Sequence, residues 1–256
     1  MKKALVLFGN ESNRENLIQS AIYMRDGMGY HLSGIFISDI RNETVIPQGF
    51  DGMVFDSNRV LMSDEWMNFE KQEVQSIEKE LREDKAKIEL EYEIGILGET
   101  IRDKMKSYDL LIVGKGALVS DTLVEILKNN YKVVMIVGDR MPDFSHIYVA
   151  NDDGVKVNRS VYNFMNIFPE LSGYISVSVN NNEEKNKLIE YMRARGKKIE
   201  EKTLPGKEEV LHYLSQEERK GVMVMGNLNR SYLLEKLTKK TGLKLLEHSK
   251  MVIFIG

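Results

Sequence analysis

The sequence predicts an α/β fold made of two tandem, doubly wound domains, each with a parallel five-stranded sheet. Four short runs are continuously apolar, which is typical of parallel strands covered on both faces. They are 4–8 (ALVLF), 110–113 (LLIV), 133–137 (VVMIV) and 252–255 (VIFI). Segments with helical periodicity separate these runs, which indicates right-handed strand–helix–strand units. The same order of elements also occurs twice along the chain, which favours a duplicated domain.

The helices and strands of the first half are predicted from hydrophobic periodicity and from the Gly, Asn and Asp residues that end its strands. Its first helix places Leu17, Ile18 and Ala21 on one side, and a later, highly charged helix has an apolar stripe that includes Trp66 and Ile77. The predicted order is strand 3–8, helix 13–28, strand 31–38, helix 64–87, strand 88–94, helix 98–107, strand 109–114, helix 118–129 and strand 132–137.

The second half repeats this order and shares short stretches of sequence with the first. DLLIVGKG (109–116) aligns with GVMVMGNL (221–228), and YKVVMIVG (131–138) aligns with SKMVIFIG (249–256). The predicted elements are strand 146–151, helix 155–168, strand 171–179, helix 182–196, strand 197–204, helix 206–219, strand 221–226, helix 231–247 and strand 250–255.

The boundary between the halves is expected where Gly, Asp and Pro cluster in 138–145. This gives two domains, 1–140 and 144–256. The main difference between them is a long connection, 40–62, that only the first half contains. Because connections of this length are often contact arms and this one carries several apolar side chains, we expect it to pack on its own domain or on a protein partner.

Composition excludes several classes of function. The chain has no Cys, which excludes a disulfide scaffold, a Cys-ligated metal and a thiol nucleophile. Its 36 Lys and Arg against 39 Asp and Glu give a net charge of −3, so neither nucleic acid nor an anionic membrane is an expected partner. No apolar run reaches the roughly 18 residues of a membrane span, and the opening apolar stretch is too short for a signal peptide. These features predict a soluble, cytoplasmic protein.

No catalytic residue and no metal site is predicted. The four histidines are scattered without metal-ligand spacing, and neither a nucleophile elbow nor a Walker-type phosphate loop is present. Asp152, Asp153 and Gly154 could hold a cation, but this pattern between a strand and a helix is first a turn and helix-cap signal.

The end of the second half carries the most specific resemblance to a known family. MGNLNRSYLLEKLTKKTGLKLLEHSKMVIFIG (225–256) aligns without gaps with the last strand–loop–helix–strand of the universal stress protein family. With the duplicated element order, the chain resembles this family over nearly its whole length. The resemblance implies strand order 3-2-1-4-5 in each half and a ligand cleft where that order reverses, at the carboxyl ends of the strands.

The family cradles the phosphates of ATP with a pattern Gly-x2-Gly-x9-Gly-Ser/Thr, in which glycines let backbone N–H groups approach the phosphate oxygens. The pattern is degenerate here, because only the first of its three glycines is present. Family members also carry an Asp near the nucleoside, just after the first strand. Carried over, the resemblance implies a nucleotide site in the second half at Asn151, Asp152, Gly226, Asn229, Lys239 and Lys240.

Two interpretations of this site remain open. In the first, the site has decayed, the two lysines lie on a solvated helix face, and the protein is a non-catalytic regulatory protein of the stress response. In the second, the second half binds ATP or another nucleotide, with Lys239 or Lys240 as a phosphate partner, and acts as a nucleotide sensor that could hydrolyse ATP slowly. A third alternative is an adaptor that uses 40–62 to bind a protein partner.

The resemblance also predicts how the halves associate. In the family, the final strand often joins two subunits by edge pairing. Both halves of this chain end in an apolar strand, so we expect the two domains to pair within one chain, and a homodimer is an alternative partner arrangement.

Overall fold

The computed structural model describes residues 1–9, 13–43, 55–116, 120–180, 186–227 and 241–256. The elements of the first half are β1 (Lys2–Phe8), α1 (Arg14–Met28), β2 (Tyr30–Asp39), α2 (Ile40–Glu43), α3 (Phe55–Glu83), β3 (Leu90–Gly95), α4 (Leu97–Lys104) with a 3-10 turn (Met105–Ser107), β4 (Leu110–Gly114), α5 (Asp121–Asn129) and β5 (Val133–Val137). Those of the second half are β6 (Ile147–Ala150), α6 (Val155–Ile167), β7 (Gly173–Val179), α7 (Lys187–Ala194), β8 (Lys198–Leu204), α8 (Lys207–Ser215), β9 (Val222–Met225), α9 (Thr241–His248) and β10 (Val252–Ile255).

The long connection 40–62 differs from its prediction. Residues 40–43 form the short helix α2, and α3 begins at Phe55 rather than at residue 64. Residues 55–63 contain neither Gly nor Pro, so no local signal stops the helix from extending toward its N-terminus. The middle of the connection, 44–54, lies outside the described residues, and the expected partner contact there stays a prediction.

The ten strands found in the described residues form one sheet, in the order β3-β2-β1-β4-β5-β10-β9-β6-β7-β8. The order 3-2-1-4-5 is therefore confirmed in each half. Pairs within a half are parallel, and β5 and β10 are antiparallel neighbours. The two predicted five-stranded sheets are thus joined edge to edge, because an apolar final strand left at an edge would expose both its side chains and its unpaired backbone groups.

The β5–β10 contact confirms the predicted pairing of the two final strands. Met135 lies opposite Phe254, and Ile136 lies opposite Ile253. The alignment of the repeats equates Met135 with Ile253 and Ile136 with Phe254. The two pairs therefore exchange with one another, as an approximate two-fold axis through this contact requires.

The core covers both faces of the sheet and continues across the junction. On one face, the ring of Phe254 lies 5.0 Å from that of Phe164 and 5.6 Å from that of Phe168, measured between centroids. Phe144, from the segment that connects the halves, lies 5.8 Å from the same ring. The connection between β5 and β6 is thus packed into the aromatic core that spans the junction.

In the part of the chain that the structure describes, no helix combines the length and the apolar character of a membrane span.

Candidate functional site

The predicted site lies where the strand order of the second half reverses. β6 has β7 on one side and β9 on the other, and both neighbours are parallel to it. Asn151 and Asp152 follow β6, and Gly226 follows β9, so the structure brings these three to the same edge of the sheet. Asn229, Lys239 and Lys240 lie outside the described residues, and their part in the site stays a prediction.

Asn151 is buried, and its side chain ties the loop after β6 to the neighbouring strand. Its Nδ2 donates to Oγ of Ser176 at 2.9 Å, and its Oδ1 accepts from the backbone N–H of Asp153 at 2.8 Å. The backbone N–H of Asn151 donates to the carbonyl of Val177 at 2.9 Å. Both ends of the amide are therefore used to shape this loop.

The two aspartates that follow have different roles. Asp152 is exposed, and its Oδ1 accepts from the N–H of Gly154 at 2.9 Å. Asp153 has a positive φ of 52°, which Asp tolerates better than most residues. Its carboxylate accepts from the N–H of Lys187 at 3.2 Å and from that of Leu188 at 2.9 Å, at the start of α7. Asp153 therefore caps a helix that begins more than thirty residues later in the chain.

Asp153→Ala is expected to lower the free energy of unfolding by about 1–2 kcal/mol, since it removes a helix cap and places Ala at a positive φ. Asp152→Ala is expected to cost less than about 0.5 kcal/mol, because its single bond is exposed. Urea denaturation followed by circular dichroism measures both. Asp153→Asn is the control, as Asn tolerates the same backbone and keeps one acceptor. Equal losses from Asp152→Ala and Asp153→Ala would disprove these separate roles.

Gly226 allows the end of β9 to approach the first turn of α6. A Cβ built on Gly226 would lie 3.0 Å from the backbone nitrogen of Val157 and 3.2 Å from Cβ of Lys156. Gly154, the residue before α6, has no side chain and therefore provides no side-chain cap for this helix. The glycine that the motif provides is therefore also required by packing.

The loop after β4 in the first half contains a buried cation that sequence reasoning did not select. Lys115 is 8% exposed, and its Nζ donates to the carbonyls of Leu246 at 2.5 Å, Ser249 at 3.2 Å and Glu247 at 3.3 Å. These carbonyls lie at the C-terminus of α9, where a helix leaves acceptors unsatisfied and carries the negative end of its dipole. Burial lowers the pKa of the Lys115 amine from its usual range.

The corresponding residue of the second half makes the reciprocal contact. Asn227, which aligns with Lys115 in the repeat, donates from Nδ2 to the carbonyl of Leu127 in the last turns of α5 at 2.8 Å. The loop after the fourth strand of each half thus holds the end of the last helix of the other half. The alignment of GKG with GNL placed these residues in register, but their partners are backbone carbonyls, which no residue type reveals.

The described residues contain no cluster of three or more His, Asp and Glu side chains arranged to hold a metal ion.

Solved structures share this architecture. A universal stress protein from Archaeoglobus fulgidus matches with a TM-score of 0.65 at 13% identity, over 98% of this chain and 94% of that one. A universal stress protein from Lactobacillus plantarum matches 54% of this chain and 97% of its own, with a TM-score of 0.39 at 15% identity. A member of that family from Burkholderia pseudomallei matches 53% and 95%, with a TM-score of 0.37 at 10% identity.

The sequence itself matches no family model and no curated protein. The Archaeoglobus structure, which covers nearly the whole chain, establishes that this chain has the universal stress protein fold in its tandem form.

Proposed function

We propose that this chain, which has the universal stress protein fold, is a non-catalytic regulatory protein of the cytoplasmic stress response with a degenerate nucleotide site. The observation that supports this best is how the polar groups at the two strand-order reversals are used. The amide of Asn151, the carboxylate of Asp153 and the ammonium of Lys115 all bind other parts of the chain. Groups held in this way shape the fold and are poorly placed to transfer protons to a substrate.

The first half is poorly suited to bind a phosphate group. In the phosphate loops of this fold, the residues after the fourth strand face the ligand. Here the cation of that loop points at three carbonyls in and just after the last turn of α9, and a phosphate would compete with them for its three N–H donors. Any remaining nucleotide site therefore belongs to the second half.

One observation favours the second candidate, an ATP-binding sensor that uses the second half. Oδ1 of Asn227 is buried and accepts no hydrogen bond within the described residues. A buried acceptor without a donor costs about 1–3 kcal/mol, which a ligand N–H or O–H would recover. Asn227 directly follows Gly226, so this acceptor lies beside the predicted site.

A nucleotide test separates the two candidates. We expect the purified protein to carry no nucleotide by mass spectrometry, and its Tm to change by less than about 1 °C in excess Mg-ATP. A site with millimolar affinity at tenfold ligand excess would instead add about 1.4 kcal/mol. That corresponds to a rise of about 3–6 °C for a chain of this size.

A rise of that size, lost in the Lys239→Ala/Lys240→Ala double variant, would overturn the proposal and support the sensor. Lys79→Ala is the matched control, because Lys79 is an exposed lysine on α3, far along the chain from the site.

The proposed regulatory protein needs no second copy to complete its sheet. We propose that 1–140 and 144–256 act as two domains that meet through β5 and β10. The edge that joins subunits in the family is then occupied within the chain. A homodimer would have to use another surface.

A further inference from the structure

The two ends of the ten-stranded sheet, β3 and β8, are the third strands of the two halves, and they differ in what they expose. In β8 the exposed side chains are all polar and carry both signs of charge: Lys198, Glu200, Glu201, Lys202 and Thr203. Mixed charges of this kind protect an edge strand from pairing with other chains. In β3 the exposed set includes large apolar side chains, and all its charges are acidic.

The apolar face of β3 lies against α3. Tyr92 stacks on Phe36 with ring centroids 6.0 Å apart, and its hydroxyl donates to Glu70 of α3 at 3.2 Å. Tyr92 nevertheless remains 44% exposed, and Ile94, two residues along on the same face, is 66% exposed. Protection of the β3 edge by its charged side chains does not account for the exposure of Tyr92 and Ile94.

The opposite face of β3 borders an acidic groove. A cavity of about 570 Å³ is lined by the carboxylates of Glu91 and Glu93 from β3 and of Glu99 and Asp103 from α4. Lys104 also lines the groove, and its Nζ lies 2.6 Å from Oε1 of each of the two glutamates of the strand. Lys106 pairs with Asp103 at the rim. Four carboxylates against two lysines leave the groove with an excess of negative charge.

Among the described residues, the backbone between these two faces has a strand partner on one side only. β2 pairs with β3 from Leu90 to Gly95, and no further strand lies beyond β3 among the described residues. The outward N–H and C=O groups of β3 can therefore pair with an added strand. Alternate residues of an added strand point to opposite faces, so one set would meet Tyr92 and Ile94 and the other the carboxylates.

We propose that β3 is a docking edge for an extended segment of a partner protein in which basic and apolar residues alternate. The basic side chains pair with the groove, the apolar ones cover Ile94 and Tyr92, and the backbone extends the sheet. A second copy of this chain is a poor occupant. Its own β3 would bring glutamates against glutamates, and like charges across a strand pair are destabilising.

The experiment uses the full chain and a short fluorescent peptide in which Lys alternates with Val. Fluorescence anisotropy measures its affinity, and amide hydrogen exchange reports protection of 90–95. We expect the peptide to bind and to slow exchange across β3. Ile94→Lys and Glu99→Lys are each expected to weaken binding about tenfold. Ile94→Lys sets an ammonium against the Val side chains of the peptide, and Glu99→Lys repels the Lys side chains in the groove.

Glu200→Lys on β8 is the matched control for Glu99→Lys, since it makes the same change of charge at the opposite edge. A peptide of the same composition with its Lys and Val residues in separate blocks is the second control, and it should bind more weakly. The proposal fails if the alternating peptide does not bind, if Glu200→Lys weakens its binding as much as Glu99→Lys does, or if the peptide binds without slowing exchange in β3. It also fails if the free protein is a dimer that Ile94→Lys dissociates.

Discussion

Ile253→Asp is expected to destabilise the protein by more than about 4 kcal/mol, enough to unfold a chain of ordinary stability. Ile253 is 1% exposed and lies in β10 between Ile136 of β5 and Met223 of β9. A carboxylate there would be buried without a partner, and it must either remain charged at high cost or take up a proton. Equilibrium urea denaturation followed by circular dichroism measures the loss.

Two controls make this result specific to the junction. Ile94→Asp makes the same chemical change on another strand of the same sheet, but at an exposed position, and should cost less than about 0.5 kcal/mol. Ile253→Val keeps the site apolar and should cost about 1 kcal/mol. If Ile253→Asp were as stable as Ile94→Asp, the packing of β10 against β5 would not contribute to the fold.

The strands were predictable because burial on both faces leaves a clear pattern. All five residues from Ala4 to Phe8 are buried, as their unbroken apolar run indicated. The junction could also be anticipated, because two final strands without polar residues cannot remain at edges. The start of α3 could not, since 55–63 carry no Gly or Pro to mark where the helix begins.

The site was only partly predictable, for a physical reason. Topology alone brings Asn151, Asp152 and Gly226 to one edge, because parallel strands end together where their order reverses. The roles of Asp153, Lys115 and Asn227 depend instead on backbone N–H and C=O groups. Every residue except proline carries both groups, so their position in space leaves no trace in sequence.

Lys115 shows how such a contact can join the two halves. Lys115→Met is expected to lower the free energy of unfolding by about 1–3 kcal/mol at neutral pH, because the carbonyls of Leu246, Glu247 and Ser249 lose their shared donor. Lys132→Met is the matched control. Its Nζ donates to a single carbonyl, that of Tyr108, at 2.7 Å, so its loss should be smaller. Equal losses would mean that the three buried hydrogen bonds of Lys115 stabilise the fold no more than the single bond of Lys132 does.

A comparison of the wild-type chain with Lys115→Met at several pH values tests the charge of Lys115. Burial lowers the pKa of this amine in the folded state, while Asp139 and Glu247 favour its charged form and Lys250 opposes it. Between the lowered pKa and the usual lysine value, the unfolded chain therefore binds more protons than the folded one. Stability from this group consequently rises with pH through that window. Lys115→Met lacks the group, so the advantage of the wild-type chain over the variant should grow from neutral to alkaline pH in urea titrations. An advantage that stays constant or shrinks would show that the three carbonyls solvate the ammonium at least as well as water does.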